Sequence, residues 1–219
     1  MELLEGIRTR RSFRAYRSSP VPPDVMDKVL EAAGRSPSFT NTQPWEVAVV
    51  SGKKRDELSG ILCQLAASNA PSKPDILLPT AWPEELEKRS RDHGARRFQA
   101  LGIQRENEQQ RAELRMMNFK LYGAPAAIFL FIDQSLTEWS IFDAGLFAQT
   151  LCLAAHSVGL GTCLQAALVS YPDAIREFLG IPKTKRLVIG ISIGYPDLDA
   201  KINSYQSTRV GLSFVNRYD

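Results

Sequence analysis

The sequence lacks the features of membrane, secreted and nucleic-acid-binding proteins. No apolar run approaches the ~20 residues of a membrane span, and the opening residues MELLEG are acidic, without the apolar core of a signal peptide. The three cysteines, Cys63, Cys152 and Cys163, are odd in number and lack paired or metal-type spacing, which indicates reduced thiols. A net charge of +3 without a long basic run gives no reason to expect nucleic acid binding. We therefore expect a cytoplasmic protein with neither a membrane nor a nucleic acid as partner.

Motifs of several enzyme classes are also absent. No Gly-x-Gly-x-x-Gly follows a strand, so a nicotinamide would have to visit the site rather than occupy its own domain. There is no serine nucleophile elbow and no paired carboxylate arrangement. The histidines, His93 and His156, have no acids or cysteines at ligand spacing, so we predict structural histidines and no metal site.

Composition and patterning indicate one α+β domain over residues 1–219. With 44% hydrophobic residues, a chain of this length can bury roughly 70% of its unfolded surface in a single core. Periodicity and capping residues predict helices starting at Pro22 and over 55–70 and 138–158, and strands over 46–51, 126–132 and 186–195. This order predicts one mixed or antiparallel sheet in a layered fold.

Three further segments are distinctive. The predicted helix at 138–158 is apolar around most of its circumference, which favours burial against a second copy of the chain. Residues 71–122 are charged and begin with several prolines, which is typical of a solvent-facing lid. Residues 197–219 are polar and irregular, and we predict an extended C-terminal arm there.

Four polar clusters supply candidate site residues. Arg10, Arg11, Ser12 and Arg14 crowd together near the start of the sequence, where they suit either a solvated basic face or a phosphate site. The loop at 35–45, RSPSFTNTQPW, is rich in hydrogen-bonding groups and suits either a polar ligand or a structural turn. The segment GLGTCLQA at 159–166 suits a glycine-capped turn, and the last cluster lies in the polar tail at 203–209.

Together these clusters resemble the nitroreductase family of FMN enzymes. The loop resembles the family's Pro-Ser-x-x-Asn-x-Gln-Pro-Trp signature, and the first cluster resembles its Arg-x-Ser-x-Arg/Lys element. The string Asn203-x-x-x-Ser207-x-Arg209 resembles the family's C-terminal phosphate clamp. The resemblance implies a three-layer α/β/α fold with a mixed, mostly antiparallel sheet, and an intertwined homodimer with the flavin at the subunit interface.

The resemblance also implies a role for each cluster. The N-terminal cluster and the tail would hold the FMN phosphate, with Arg14 near flavin O2 and N1, where a cation stabilises the reduced ring. The segment 164–166 would line the ring and offer a backbone N–H to N5, and the loop would reach the flavin held by the neighbouring subunit. The implied cofactor-binding residues are Arg10, Arg11, Ser12, Arg14, Pro37, Ser38, Phe39, Asn41, Leu164, Gln165, Ala166, Ser207 and Arg209.

The implied activity is hydride transfer from NAD(P)H through FMN to a flat, electron-poor acceptor, above all a nitroaromatic such as a nitrobenzoate. The cofactor carries this chemistry, so no side chain is assigned as catalytic. Phe39 is a candidate border of the acceptor pocket, and the lid residues Arg96, Arg97 and Arg105 are candidate contacts for an anionic ring. Quinone or enone reduction, reductive dehalogenation and simple flavin sequestration stay open as alternatives. The absence of tyrosine between 71 and 121 argues against a dehalogenase.

Overall fold

The structure is a computed structural model that describes residues 1–104, 106–211 and 215–218. Within them, seven α-helices and four strands are present. The helices are α1 (Leu3–Thr9), α2 (Pro23–Gly34), α3 (Gly52–Ala67), α4 (Glu84–Leu101), α5 (Glu108–Phe119), α6 (Glu138–Ser157) and α7 (Pro172–Leu179). The strands are β1 (Glu46–Ser51), β2 (Ala126–Asp133), β3 (Gly161–Gln165) and β4 (Lys185–Gly194). No helix in the described part of the chain is long and apolar enough to cross a membrane.

The strands form one antiparallel sheet in the order β1-β2-β4-β3. In the register of the central pairs, Ile128 lies opposite Val49 of β1 and opposite Ile191 of β4. Among the described residues, one parallel contact adjoins this sheet, a single bridge between Ser12 and Thr162. The predicted α+β architecture and its mostly antiparallel sheet are confirmed.

Alternation along β2 divides the core into two layers of packing. Its residues from Ala126 to Ile132 are all buried, as expected of a central strand covered on both faces. The even-numbered side chains pack with α2 and α6, through residues such as Val29, Phe147 and Leu151. The odd-numbered side chains pack with α3 and α7, through Leu58, Leu62 and Ile175. The result is a helix–sheet–helix sandwich, as predicted.

The predicted lid at 71–122 contains two helices, α4 and α5, neither of which has a buried residue. Asn107 caps the start of α5 by accepting a hydrogen bond from the Gln110 N–H at 3.0 Å. Ahead of α4, the Asp75 carboxylate accepts hydrogen bonds from the buried Arg176 and, at 2.7 Å, from the Leu187 N–H. The lid is therefore anchored to the core at its base, and its helices α4 and α5 are only partly covered.

Sequence patterning did not predict β3 or α7. The segment at 159–166 suggested a glycine-capped turn. The part of this interpretation that concerns Gly159 is right, because Gly159, with φ of 81°, follows the end of α6. Gly161 instead begins β3 and pairs with Gly194 of β4. The tail contains one 3₁₀ turn, Lys201–Asn203, and is otherwise irregular where it is described. Residues 212–214 and 219 of the predicted arm lie outside the described residues.

Candidate functional site

A basic cavity of about 150 Å³ lies where the N-terminal segment meets the C-terminal arm. Six of its lining residues come from the two clusters predicted to bind phosphate. Within the described part of the chain the lining holds four arginines and no carboxylate, so it suits a phosphate or another oxyanion. The lining residues are Arg10, Arg11, Ser12, Arg14, His93, Tyr205, Ser207 and Arg209.

The edge of the sheet positions the first of these clusters. Beyond the Ser12–Thr162 bridge, the Phe13 N–H donates to the Thr162 carbonyl at 3.0 Å. Phe13 is buried, whereas its neighbours Ser12 and Arg14 line the cavity, as alternation along an extended segment requires. A Cβ on Gly161 would lie 2.7 Å from Phe13 Cδ2, so only glycine permits this close approach. The basic segment is thus fixed beside β3.

Asn203 joins the two ends of the chain. It is only 2% exposed, and its Oδ1 accepts from the Arg14 N–H at 2.7 Å. Its Nδ2 donates to the Ala15 carbonyl at 2.9 Å and to the Asp197 carbonyl at 2.7 Å. A short, fully bonded amide in a buried position holds local geometry firmly. Asn203 therefore sets where the following Ser207 and Arg209 lie relative to Arg14.

His93 and Tyr205 complete the cavity from the lid and the arm. The Tyr205 hydroxyl lies 3.0 Å from His93 Nδ1, and the two ring centroids are 5.5 Å apart. Burial, reinforced by Arg14 and other nearby arginines, lowers the pKa of His93, so the ring is neutral at pH 7. His93 was predicted to be structural rather than a metal ligand, and the structure in addition places it in the cavity lining. Among the described residues no cluster of histidine, cysteine or acids could hold a metal.

A second arginine lies deeper, beside Arg14. Burial lowers the pKa of Arg97 and the charge of Arg14 adds to the effect, while the neighbouring Tyr122 hydroxyl opposes it. The buried Nη2 of Arg97 has no hydrogen-bond partner among the described residues. Burial raises the pKa of Cys163 in the same region, which keeps its thiol protonated. Two guanidinium groups therefore meet here with unmatched positive charge, which an anionic or electron-rich group would offset.

The predicted N5 segment forms the end of β3. Leu164 and Ala166 are exposed, whereas Gln165 is buried between them. The Gln165 amide donates to the Asn118 carbonyl at 2.9 Å and accepts from the Ser192 hydroxyl. Because the Gln165 side chain is already hydrogen-bonded inside the core, only its backbone and the neighbouring residues Leu164 and Ala166 can contact a ligand. This arrangement agrees with a backbone role.

The signature loop has a strained backbone. Thr40, Asn41 and Gln43 have φ of 49°, 58° and 49°, in the left-handed region that non-glycine residues rarely adopt. The Ser38 hydroxyl accepts from the Gln43 N–H at 2.9 Å, and Asp143 of α6 accepts from the loop at 3.1 Å. Strain of this kind persists only where surrounding contacts hold it, and it is common at binding sites.

In this structure the loop at 35–45 lies apart from the basic cavity. Asp143, which holds the loop, lies 13 residues before His156 in α6. His156 contacts Thr9 at 2.9 Å, immediately before the basic segment. The two ends of this span of α6 are about 20 Å apart at the helical rise per residue. The predicted residues Pro37, Ser38, Phe39 and Asn41 therefore lie far from the basic cavity of the same chain.

Comparisons with known proteins show which family the chain belongs to. A model of the "Nitroreductase family" matches residues 7–195. The chain is 37% identical over 212 residues to "Nitroreductase NfnB" of Mycolicibacterium smegmatis, covering 97% of this chain and 90% of that protein. It is 32% identical over 203 residues to a "4-nitrobenzoate reductase" of Pseudomonas putida, covering 93% and 89%. The crystal structure of the FMN-dependent nitroreductase NfnB from Mycobacterium smegmatis in complex with NADPH matches it with a TM-score of 0.94 at 36% identity, covering 100% of both chains.

The chain therefore belongs to the nitroreductase family. The family and the fold expected from the four clusters are confirmed. The individual contacts of the site residues with a cofactor stay predictions.

Proposed function

We propose that this protein is an FMN-dependent oxidoreductase that takes hydride from NAD(P)H and passes it to a nitroaromatic acceptor. The observation that carries the proposal is the convergence of four arginines and two serines on one small cavity beside β3. Its relatives support the same reaction class, since they are named nitroreductase and 4-nitrobenzoate reductase. Its three free thiols also suit a cytoplasmic setting.

The cavity favours FMN over FAD. Its volume of about 150 Å³ suits one phosphate group, and the arginines converge on it from both ends of the chain. Arg10, Ser12, Ser207 and Arg209 would bind the phosphate oxygens, which suits the bidentate geometry of guanidinium groups. Pigment released from the denatured protein should therefore migrate with FMN in chromatography, and FAD would contradict the assignment.

The chain's own part in the reaction is to bind and to polarise. When bound, FMN supplies hydride exchange at its N5 atom. Arg14 would hold positive charge near O2 and N1, and the exposed Leu164 and Ala166 would flank the ring. No side chain needs to act as an acid or base in hydride transfer. Anaerobic addition of NADH or NADPH should bleach the flavin, and a nitroaromatic should restore its colour; a flavin that neither nicotinamide bleaches would indicate sequestration without turnover.

The proposal includes a homodimer in which each site is completed by the partner subunit. Phe39, Trp139 and Phe142 are 60%, 61% and 59% exposed, although Phe39 and Trp139 stack at 5.7 Å. Leu3 and Leu4 of α1 are also more than half exposed, and α1 contacts α6. An apolar surface of this kind suits an obligate interface. A flavin-loaded monomer at low micromolar concentration, measured by light scattering, would contradict this arrangement.

We also propose that residues 1–219 work as a single domain whose lid, at 71–122, selects the acceptor. Arg97 reaches inward beside Arg14, whereas Arg96 lines a cavity under the arm. Arg105 lies outside the described residues. The unmatched charge at Arg97 favours an acceptor that carries a carboxylate, such as a nitrobenzoate, and makes Arg97 the lid arginine of interest.

A further inference from the structure

A second basic cavity, of about 680 Å³, lies directly outside the first, between α4 and the C-terminal arm. The linings of the two cavities share His93, Ser207 and Arg209, so the cavities are adjacent. The outer cavity is several times larger than the phosphate cavity and falls in the size range of sites for small ligands. Its lining residues are Arg89, Ser90, His93, Arg96, Ser207, Thr208, Arg209 and Val210.

The lining is strongly basic. Arg89, His93 and Arg96 recur at helical spacing and so share one face of α4. Hydroxyl groups of Ser90 and Thr208 lie in the same lining, which holds no carboxylate within the described part of the chain. Guanidinium groups accompanied by hydroxyls are the usual donors to phosphate oxygens. The chemistry of the lining therefore suits a second phosphate group.

Arg209 is assigned above to the FMN phosphate, so Arg96 is the arginine of this lining that is available for a second phosphate. Arg89 is partly neutralised by Glu85, one helical turn earlier. The Arg96 Nε donates to the Asp92 carbonyl at 3.3 Å, and Arg209 donates to the Ser207 hydroxyl at 2.7 Å. Neither Arg96 nor Arg209 forms an ion pair with any described carboxylate. Exposed charges of this kind, aligned on one cavity, attract anions from solution.

We propose that the outer cavity binds the 2′-phosphate of NADPH, with Arg96 as the residue that distinguishes NADPH from NADH. The proposal rests on the proposed function, because it assigns to this cavity part of the hydride donor. A nicotinamide that visits the flavin must leave its adenosine end outside the flavin site, and the outer cavity adjoins that site. The additional phosphate is the only chemical difference between the two donors, so a basic subsite here selects NADPH.

The experiment uses flavin-loaded enzyme and follows anaerobic flavin reduction by stopped flow with NADPH and with NADH. We expect Arg96→Ala to weaken the apparent affinity for NADPH by about ten-fold or more, since one charge-assisted bond is lost. The same variant should change the affinity for NADH less than about two-fold and leave the FMN content unchanged. Arg96→Lys, which keeps the charge without the fork, should lie between wild type and Arg96→Ala.

Arg91→Ala is the matched control, because Arg91 lies on the same helix, pairs with Glu87 at 3.5 Å and lines a different cavity. It removes the same charge and should leave both donors unaffected. Equal use of NADH and NADPH by the wild type, or equal weakening of both donors by Arg96→Ala, would overturn the proposal. An Arg91→Ala effect as large as that of Arg96→Ala would overturn it as well, since it would indicate only a long-range field.

A binding measurement separates this inference from the proposed function. Calorimetry on the oxidised enzyme should show adenosine 2′,5′-bisphosphate binding more tightly than adenosine 5′-monophosphate, and Arg96→Ala should abolish the difference. This holds even if neither nicotinamide reduces the flavin, a result that would defeat the proposed function alone. Equal binding of the two nucleotides to the wild type would defeat the subsite.

Discussion

Replacing two arginines from opposite ends of the chain should weaken FMN binding, because both are assigned to the FMN phosphate. In the double variant Arg10→Ala plus Arg209→Ala, each lost charge-assisted bond is worth roughly 1.5–3 kcal/mol. The two losses together should weaken FMN binding by roughly two to four orders of magnitude. FMN binding would not be lost completely, because Arg11, Arg14 and the hydroxyl groups of Ser12 and Ser207 remain in the cavity lining.

Riboflavin makes the assay specific for the phosphate, because it shares the ring and the ribityl chain of FMN. Apoprotein should be titrated with each compound while flavin fluorescence is followed. The double variant should lose affinity for FMN and keep its affinity for riboflavin. Arg8→Ala plus Arg17→Ala is the matched control, since both side chains are exposed and neither lines the cavity. Equal losses for FMN and riboflavin, or full flavin occupancy in the purified double variant, would refute the assignment of this cavity to the phosphate.

Three other changes test the lid and the core. Arg97→Ala should slow reoxidation of the reduced flavin by 4-nitrobenzoate more than by nitrobenzene, because its buried Nη2 lacks a partner among the described residues; stopped-flow traces that change equally for both acceptors would contradict this. Asp75→Asn should destabilise the fold by about 3 kcal/mol, because it leaves the buried Arg176 without its main carboxylate; an unchanged midpoint in urea would refute it. Gly194→Ala should cost about 1–3 kcal/mol in the same assay, since the new Cβ would lie 2.4 Å from the ring of Pro125; wild-type stability would count against this packing.

Strong apolar patterns made part of the fold predictable. The strands β1, β2 and β4 and the helix α6 begin and end within about one residue of their predicted limits, because long runs of apolar side chains decide them. The strand β3 was missed because its five residues, which include Gly161, show no clear alternation. Its partners are β4 and the bridge at Ser12, which are distant in sequence.

Weaker local signals account for the other omissions. The helix α7 has only eight residues, although Pro172 at its start and Gly180 after its end are ordinary boundary signals. The helices α4 and α5 contain no fully buried residue, so no apolar stripe marked them as elements of structure. Propensity and capping form such helices, and those signals are weak in sequence.

Some residues of the candidate site were also predictable from the sequence, and others were not. Arg10 and Arg209 are distant in sequence, so spacing alone could not predict that they line one cavity. The family resemblance did predict it. His93 and Tyr205 were not among the predicted site residues, because a lone histidine in a charged helix carries little information. The helical spacing of His93 with Arg89 and Arg96 was the sequence signal that could have placed it on a basic face. Asn203 was predicted only as part of a motif, because its role depends on hydrogen bonds to Arg14, Ala15 and Asp197 that no local pattern reveals.

The distance along α6 between the signature loop and the basic cavity makes this protein a candidate for allelic complementation. In a pair of subunits that share their sites, a defect in the cavity of one copy and a defect in the loop of the other copy fall in the same site. A mixed pair then has one site with both defects and one site with neither. Two alleles that are each inactive alone would restore activity when expressed together, whereas two alleles that both damage the cavity would not.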